Sequence, residues 1–242
     1  MKIFHRHKKE NSKSKNAKAG NLNNEMIIPN EAYKTLRTNI QFCQANNEIK
    51  TLVITSSCPN EGKSTTVYNL GNSFAASGRK VLIIDCDLRK PILHKFYNVP
   101  NEKGLTNLLA GQMDVAEVLK RITVLGVDFI NCGTIPPNPS ELLNSKRMEF
   151  YLSRFSEAYD YIILDTPPIG IVTDAQILAG KCDGTLLVVA SGQVDKKKLL
   201  EAKSLLDKVG ANVLGSILTK VKVGKTEYDH YYKYTGVNNS LS

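Results

Sequence analysis

Short runs of valine, isoleucine and leucine alternate along most of the chain with segments in which apolar residues recur every three or four positions. The short runs are typical of strands buried on both faces of a parallel sheet, and the longer-period segments are typical of helices. The predicted strands are residues 51–56, 80–85, 127–131, 161–165, 184–190 and 213–219. The predicted helices include residues 62 to about 77 and 195 to about 209. This alternation predicts an α/β fold, a mostly parallel β-sheet with helices on both faces.

Capping residues mark the start of two further helices. Asn30 precedes an amphipathic segment that begins at residue 31. In the proline-rich segment 135–141, Asn138 is placed to cap a helix whose first position is Pro139 and whose third is Glu141. This order resembles a capping box with proline in the first turn.

Charge divides the chain into three predicted parts. The formal net charge is +9, and residues 1–20 contribute +6 of it from seven basic and one acidic side chain. Because a polar, basic segment buries too little apolar surface to offset its conformational entropy, residues 1–25 are predicted to be a flexible arm. Such an arm is typical of a solvated tail, of contact with an anionic membrane, or of nucleic-acid binding without sequence preference. Residues 26–221 are predicted to fold, and residues 222–242 to form a second flexible tail.

Several classes of protein are excluded by composition. The longest apolar runs, such as 81–84 and 186–190, are far shorter than the ~20 residues of a membrane helix. No apolar stretch follows the basic start of the chain, so no secretory signal is expected and the protein is predicted to be cytosolic. The five cysteines are scattered without a CxxC pair, which excludes a disulfide framework or a zinc site.

The strongest chemical pattern is Ser-Cys-Pro-Asn-Glu-Gly-Lys-Ser-Thr at residues 57–65, between a predicted strand and a predicted helix. It matches the P-loop pattern GxxxxGK[ST] except that Ser57 replaces the first glycine. Backbone N–H groups at a helix N-terminus bind phosphates, Lys63 can reach the β- and γ-phosphates, and the Ser64 hydroxyl can bind Mg²⁺. The predicted nucleotide-binding residues are Ser57, Pro59, Asn60, Glu61, Gly62, Lys63, Ser64 and Thr65.

Aspartates follow two of the predicted strands. Asp85 and Asp87 come at the end of one apolar run, and Asp165 ends another. Since carboxyl ends of parallel strands meet at one edge of a sheet, all three are expected beside the P-loop. Carboxylates around a bound phosphate need a neutralising cation, which predicts Mg²⁺.

Tyrosines are concentrated near the end of the chain. Four of the ten lie in one stretch of seven residues, 228–234, inside the segment 222–242. They could pack onto the domain or stack on bases. A tyrosine on a flexible tail could also enter an active site and accept a phosphate, which would add about −1.5 to −2 charge each. The candidate phosphoacceptors are Tyr228, Tyr231, Tyr232 and Tyr234.

Together these motifs resemble the bacterial protein-tyrosine kinases of capsule and exopolysaccharide synthesis, in the form whose catalytic domain is a separate cytosolic chain. The resemblance covers roughly residues 26–236. It includes Walker A at 57–65, a second acidic motif that contains Asp85, Asp87 and Arg89, Walker B at 162–168, and Pro-Asn-Pro-Ser-Glu-Leu-Leu at 137–143. Signatures of eukaryotic-type kinases are absent.

The resemblance implies a P-loop NTPase-type fold that uses ATP and Mg²⁺ to phosphorylate its own terminal tyrosines, often on a neighbouring subunit. It implies that Lys63 stabilises the transferring phosphoryl group and that Ser64 and Asp165 hold Mg²⁺. Asp87 would assist the metal or the acceptor, and Asp85 would accept the tyrosine proton. The expected outcome is regulation of polysaccharide synthesis or export.

The same resemblance implies partners. These are a membrane-bound adaptor with a cytosolic tail, a cognate phosphotyrosine phosphatase and further copies of the chain in a ring. The family's ring-forming ExxRxxR helix corresponds to Glu31, Lys34 and Arg37, with lysine at the middle position. No specific nucleic acid is expected. The expected location is the cytoplasm, peripheral at the inner face of the cell membrane through the adaptor or the basic arm.

Two other functions fit parts of the pattern. Partitioning or positioning ATPases of the ParA/MinD kind share the predicted sheet, but they carry a further lysine five residues before the P-loop lysine, where this chain has Cys58. A nucleotide-binding regulatory module without turnover would also carry the P-loop.

Overall fold

The computed structural model describes residues 31–43 and 48–221, which contain a single seven-stranded sheet. The strands are β1 (Thr51–Ser56), β2 (Val81–Asp85), β3 (Leu119–Ile122), β4 (Val127–Ile130), β5 (Tyr161–Asp165), β6 (Gly184–Ala190) and β7 (Val213–Thr219). Their order is β3-β4-β2-β5-β1-β6-β7. All neighbours are parallel except β3, which is antiparallel to β4. The predicted α/β fold is confirmed.

Helices cover both faces of the sheet. They are α1 (residues 31–43), α2 (Lys63–Ala75), α3 (Leu93–Phe96), α4 (Leu105–Ala110), α5 (Val115–Val118), α6 (Pro139–Leu143), α7 (Lys146–Ala158), α8 (Asp174–Ala179) and α9 (Lys196–Lys208). Alternate residues of each central strand enter different cores. In β5, Ile162 packs with α4, α7 and α8, whereas Ile163 packs with α1 and α2 on the opposite face.

The predicted bounds of β1, β5, β6 and β7 are the observed ones, and α2 and α9 are shorter than predicted by a few residues. The edge strand β3 was not predicted. Asn138 does occupy the cap position of α6, with Pro139 next, but its side chain caps no backbone N–H. Its amide instead donates to Glu141 Oε2 at 2.6 Å, so the predicted capping box is wrong in this detail. Asn30 lies outside the described residues.

The central strands align the carboxyl ends that carry the predicted chemistry. β5 lies between β1 and β2, and the register pairs Asp85 with Asp165 and Ile54 with Asp165. The ends of these three strands are therefore level, and the segments that follow them share one edge of the sheet.

Within 31–43 and 48–221, no helix combines the length and the hydropathy needed to cross a bilayer. All five cysteines, Cys43, Cys58, Cys86, Cys132 and Cys182, have free thiols.

Candidate functional site

The P-loop turns from β1 into α2 through left-handed backbone. Asn60 has φ 61° and Gly62 has φ 94°. Gly62 occupies the cap position of α2. A Cβ would find space there, next to Thr219, but a residue with a side chain would be strained at this φ. The conformation itself therefore requires the glycine.

The loop is braced from inside by Glu61. Glu61 is 2% exposed, and its Oε1 accepts hydrogen bonds from Ser57 Oγ at 2.7 Å and from the Cys58 N–H. Its Oε2 accepts from the Ala190 N–H at 3.1 Å, at the end of β6. Thr219 Oγ1, at the end of β7, donates to the Glu61 carbonyl at 2.6 Å. The side chains of Ser57 and Glu61 thus hold the loop together and are turned away from the phosphate-binding side.

A cavity of about 570 Å³ opens beside the loop. Of the eight predicted nucleotide-binding residues, six line it: Pro59, Asn60, Gly62, Lys63, Ser64 and Thr65. Asp87 and Arg89 line it from the segment after β2. The structure therefore brings the P-loop and the second acidic motif to one cavity.

Asp165 lies behind the P-loop, next to Ser64 and Lys63, and does not itself line the cavity. It is 1% exposed, and neither carboxylate oxygen has a hydrogen-bond partner that meets the usual geometry. Burial raises the pKa of Asp165 and Asp87 adds to the rise, whereas the neighbouring Ser64 hydroxyl and Lys63 ammonium lower it. An unpaired buried carboxylate beside a hydroxyl is an oxygen donor set that suits Mg²⁺. The residues present therefore fit the cation that the sequence predicts.

Asp85 and Asp87 differ in their surroundings. Asp85 is fully buried, its oxygens accept from the N–H groups of Asp87 and Leu93, each at 3.2 Å, and it does not line the cavity. Burial, with the charges of Asp165 and Asp87, raises the pKa of Asp85 well above its ordinary value. Asp87 Oδ1 accepts from the backbone of Arg89 and Lys90 and faces the cavity. Asp85 organises the loop, and Asp87 is the aspartate available to a ligand.

A link between three segments was missed by the sequence analysis. Arg89 donates from Nε and a terminal NH₂ to the carboxylate of Asp174, at 2.9 and 3.0 Å, and that NH₂ also lies 3.1 Å from Ser140 Oγ. Ser140 Oγ donates to Asp174 Oδ1 at 2.6 Å. Arg89 belongs to the second acidic motif and Ser140 to the segment 137–143, but nothing in the sequence pattern singles out Asp174. The link fixes the Asp87 segment against α6 and α8.

The predicted ring-forming residues lie on α1. Lys34 Nζ and Glu31 Oε1 form an ion pair of 2.5 Å, with about half of each side chain exposed. Arg37 donates to the Ser73 carbonyl on α2 at 2.5 Å. The arginine therefore fastens α1 to α2, and the exposed pair is left on the outer surface of the helix.

Known proteins resemble the chain over most of its length. The domain family described as AAA domain matches residues 49–192. Tyrosine-protein kinase YwqD of Bacillus subtilis (strain 168) is 43% identical over 205 residues, 84% of this chain and 86% of that protein. Putative tyrosine-protein kinase CapB of Staphylococcus aureus is 39% identical over 202 residues, which are 84% of this chain and 89% of that protein. The solved kinase domain of Escherichia coli tyrosine kinase ETK has TM-score 0.76 and 34% identity, over 81% of this chain and 78% of that chain.

The chain belongs to the bacterial tyrosine-protein kinases. This membership confirms the kinase function predicted from the motifs. It does not agree with the two alternative functions, a partitioning ATPase and a regulatory module without turnover. The P-loop fold of the kinase is shared more widely: a cobyrinic acid a,c-diamide synthase of Mycobacterium smegmatis, solved with an ATP analogue and magnesium, has TM-score 0.62 at 16% identity over 79% of this chain and 83% of that chain. The kinase's candidate acceptors Tyr228, Tyr231, Tyr232 and Tyr234, and its basic arm, lie outside the described residues.

Proposed function

We propose that this kinase transfers phosphate from ATP, with Mg²⁺, to Tyr228, Tyr231, Tyr232 and Tyr234 on the tail of a neighbouring copy. The observation that carries the proposal is the unpaired, buried carboxylate of Asp165 next to Ser64 and Lys63 of the P-loop, whose cavity is lined by Asp87. The proposal includes the division into an arm at 1–25, a kinase domain at 26–221 and an acceptor tail at 222–242.

The phosphates are held by the start of α2. Its first N–H groups and its dipole favour anions, and Lys63, 8% exposed and lining the cavity, places a positive charge on the transferring group. Ser64 and Asp165 would hold Mg²⁺, which when bound neutralises charge on the phosphates. Most of the rate enhancement then comes from positioning and electrostatics, as in phosphoryl transfer generally.

The proton of the acceptor goes to an aspartate. A phenol with a pKa of ~10 is protonated at neutral pH, so a carboxylate within hydrogen-bond reach aids the attack. We assign this role to Asp87 in place of Asp85, because Asp87 faces the cavity and Asp85 is fully buried with both oxygens bound by backbone N–H groups. Asp85 then acts as a positioning residue for the Asp87 loop.

The partners belong to the same proposal. A membrane-bound adaptor with a cytosolic tail would bring the kinase to the inner face of the cell membrane and stimulate it. A phosphotyrosine phosphatase would remove the phosphates by hydrolysis, and copies of the chain would associate through α1 into a ring. Through the charge added to the tail, the kinase would regulate capsule or exopolysaccharide synthesis or export.

A mixing experiment tests transfer between copies. One chain carries Lys63→Met with its tail intact, and the other carries an intact P-loop with the four tail tyrosines changed to phenylalanine. With Mg²⁺-ATP and the cytosolic segment of the adaptor, neither chain alone is expected to gain tail phosphotyrosine. The mixture is expected to label the Lys63→Met chain. Self-labelling of wild type without labelling in the mixture would show transfer within one chain.

A further inference from the structure

One wall of the active-site cavity is apolar and open to solvent. Ile92, Phe96 and Ile171 line the cavity, yet their side chains remain 41%, 37% and 59% exposed. They come from the segments after β2 and β5, the same two strands that supply Asp87 and Asp165. We call these three residues the apolar shelf. Exposed isoleucine and phenylalanine grouped at the mouth of a cavity mark a binding surface more often than scattered ones do.

Ile171 is held against the P-loop by backbone contacts. The Ile169 N–H donates to the Ser56 carbonyl at 2.9 Å, and the Ile171 N–H donates to the Pro168 carbonyl at 3.1 Å. Gly170 lies so close to the loop that a Cβ there would be 2.7 Å from the Ser57 carbonyl oxygen. The position of Ile171 relative to the phosphate cradle is therefore set by the fold.

Phe96 is held by α2 and by an aromatic row. Its ring contacts Tyr68 of α2 with centroids 5.4 Å apart, and Tyr68 contacts Tyr97 at 5.1 Å. Asp85 accepts from the first N–H of α3, that of Leu93. The buried aspartate thus positions Asp87 and the helix that carries Phe96 at the same time.

We propose that the apolar shelf seats the aromatic ring of an acceptor tyrosine from the segment 222–242 of a neighbouring copy, with its phenolic oxygen towards Asp87. This rests on the proposed function and adds a residue-level basis for the choice of tyrosine over serine. A tyrosine ring covers apolar surface that a serine side chain is too short to reach. The shelf, the carboxylate and the phosphate cradle lie along one cavity, which matches the apolar ring, hydroxyl and incoming phosphoryl group of that acceptor.

The tail is the occupant that the chain itself places nearest. Lys220 lines the same cavity, and Val221 is the last described residue, so in every copy the segment 222–242 starts at this edge of the sheet. Tyr228 follows Val221 by seven residues, a reach of at most about 25 Å in an extended chain. Lys34 and Arg37 of α1 line a neighbouring cavity together with Lys220, so copies that associate through α1 would bring the tyrosines of one to the shelf of the other.

The test measures acceptor binding separately from nucleotide binding. The host is the full chain with its four tail tyrosines changed to alanine, and the acceptor is a peptide of residues 222–242 in which Tyr231 is the one tyrosine kept. Ile171→Ser is expected to raise the KM for the peptide about ten-fold, as the loss of part of an isoleucine contact does. The KM for ATP should stay within two-fold of its value in the host chain. The separate variant Ile171→Leu should keep the KM for the peptide near that of the host chain. Leu200→Ser, at an apolar residue 55% exposed on α9, is the matched control.

Competing peptides measure directly how much the aromatic ring contributes to binding. In the host chain, the peptide with Tyr231→Phe should inhibit at a concentration near the KM, whereas the peptide with Tyr231→Ser should inhibit far more weakly; in Ile171→Ser both should be weak. An unchanged peptide KM in Ile171→Ser overturns the shelf, and so does equal inhibition by the two peptides. Loss of adaptor stimulation with an unchanged peptide KM would assign the shelf to the adaptor and also overturns the proposal. If the wild-type chain forms no phosphotyrosine at all, it is the proposed function that fails.

Discussion

Arg89 and Asp174 form a two-point ion pair across 85 residues of sequence, with Nε to Oδ2 at 2.9 Å and NH₂ to Oδ1 at 3.0 Å. The carboxylate is completely buried, whereas 38% of the arginine side chain is exposed at the cavity. The hydrogen bond to Asp174 raises the pKa of Arg89. The two partners therefore do not depend on each other equally, since only Asp174 would lose both solvent and counter-charge if the pair were broken.

Arg89→Ala should destabilise the kinase more than Asp174→Asn. The first variant leaves a buried carboxylate whose remaining partner is the Ser140 hydroxyl, at an expected cost of about 3–5 kcal/mol in the free energy of unfolding. The second leaves no buried charge. Urea unfolding measures both, with Arg154→Ala at an exposed pair with Glu157 as control, expected to cost under about 1 kcal/mol. Equal losses for Arg89→Ala and Arg154→Ala would contradict this account of the pair.

Glu61→Gln should weaken nucleotide binding through the loop. The carboxylate accepts three hydrogen bonds, and an amide keeps a single acceptor oxygen, so one or two donors of Ser57, Cys58 and Ala190 lose their partner. We expect a loss of about 1–3 kcal/mol in unfolding free energy and a raised KM for ATP. Glu157→Gln, at a residue 65% exposed, is the control. A KM for ATP equal to that of the control would show that the hydrogen bonds of Glu61 do not set the shape of the P-loop.

Without nucleotide and Mg²⁺, the kinase should lose stability as the pH rises from about 4 towards neutrality. Burial raises the pKa values of Asp85 and Asp165 in the folded state, so the folded protein binds more protons than the unfolded chain between the ordinary carboxyl pKa and the raised one. Stability is full below that window and falls as the pH rises through it. Asp165→Asn should flatten this slope in urea unfolding between pH 4 and 8 while abolishing transfer. A slope equal to that of wild type would remove Asp165 as its source.

Lys34→Arg should strengthen association of the chain. Lys34 is paired with Glu31 on the exposed side of α1, and lysine cannot form the two-pronged contact of arginine with a carboxylate on a neighbouring copy. We expect a larger oligomeric fraction in sedimentation velocity at equal protein concentration. Lys208→Arg, the same charge-preserving change at an exposed lysine of α9, is the matched control. If both variants sediment as wild type does, α1 is not the ring-forming surface.

The strands that the sequence predicted most accurately each contain an uninterrupted run of apolar residues. In β1 and β5, which are buried at every position, these runs are residues 52–54 and 161–164. β3 has the sequence Leu-Lys-Arg-Ile at the sheet edge, where half-exposed positions break that pattern. Antiparallel pairing to β4 forms it, and this is a tertiary effect that a local pattern does not contain.

The candidate site also contains residues that the sequence predicted and residues that it did not. The P-loop motif and the strand-end position of Asp165 predicted that this aspartate lies next to Lys63 and Ser64, because both depend on local geometry and on parallel strands. The inward turn of Glu61 was not predictable, since the motif leaves that position free and its partner Ala190 lies on another strand. Neither was the pairing of Arg89 with Asp174, which needs the loops after β2 and β5 to approach each other.

The central claim, that a phosphate donor at the P-loop serves tyrosines of the tail, is tested most directly by mass spectrometry of residues 222–242. Wild type, Lys63→Met and Lys208→Met, the last an exposed lysine at the end of α9, would be incubated with Mg²⁺-ATP and the adaptor's cytosolic segment. The account predicts phosphate on Tyr228, Tyr231, Tyr232 or Tyr234 in wild type and Lys208→Met, and none in Lys63→Met. Equal tail phosphorylation in Lys63→Met, or phosphotyrosine confined to residues outside the tail in wild type, would contradict it.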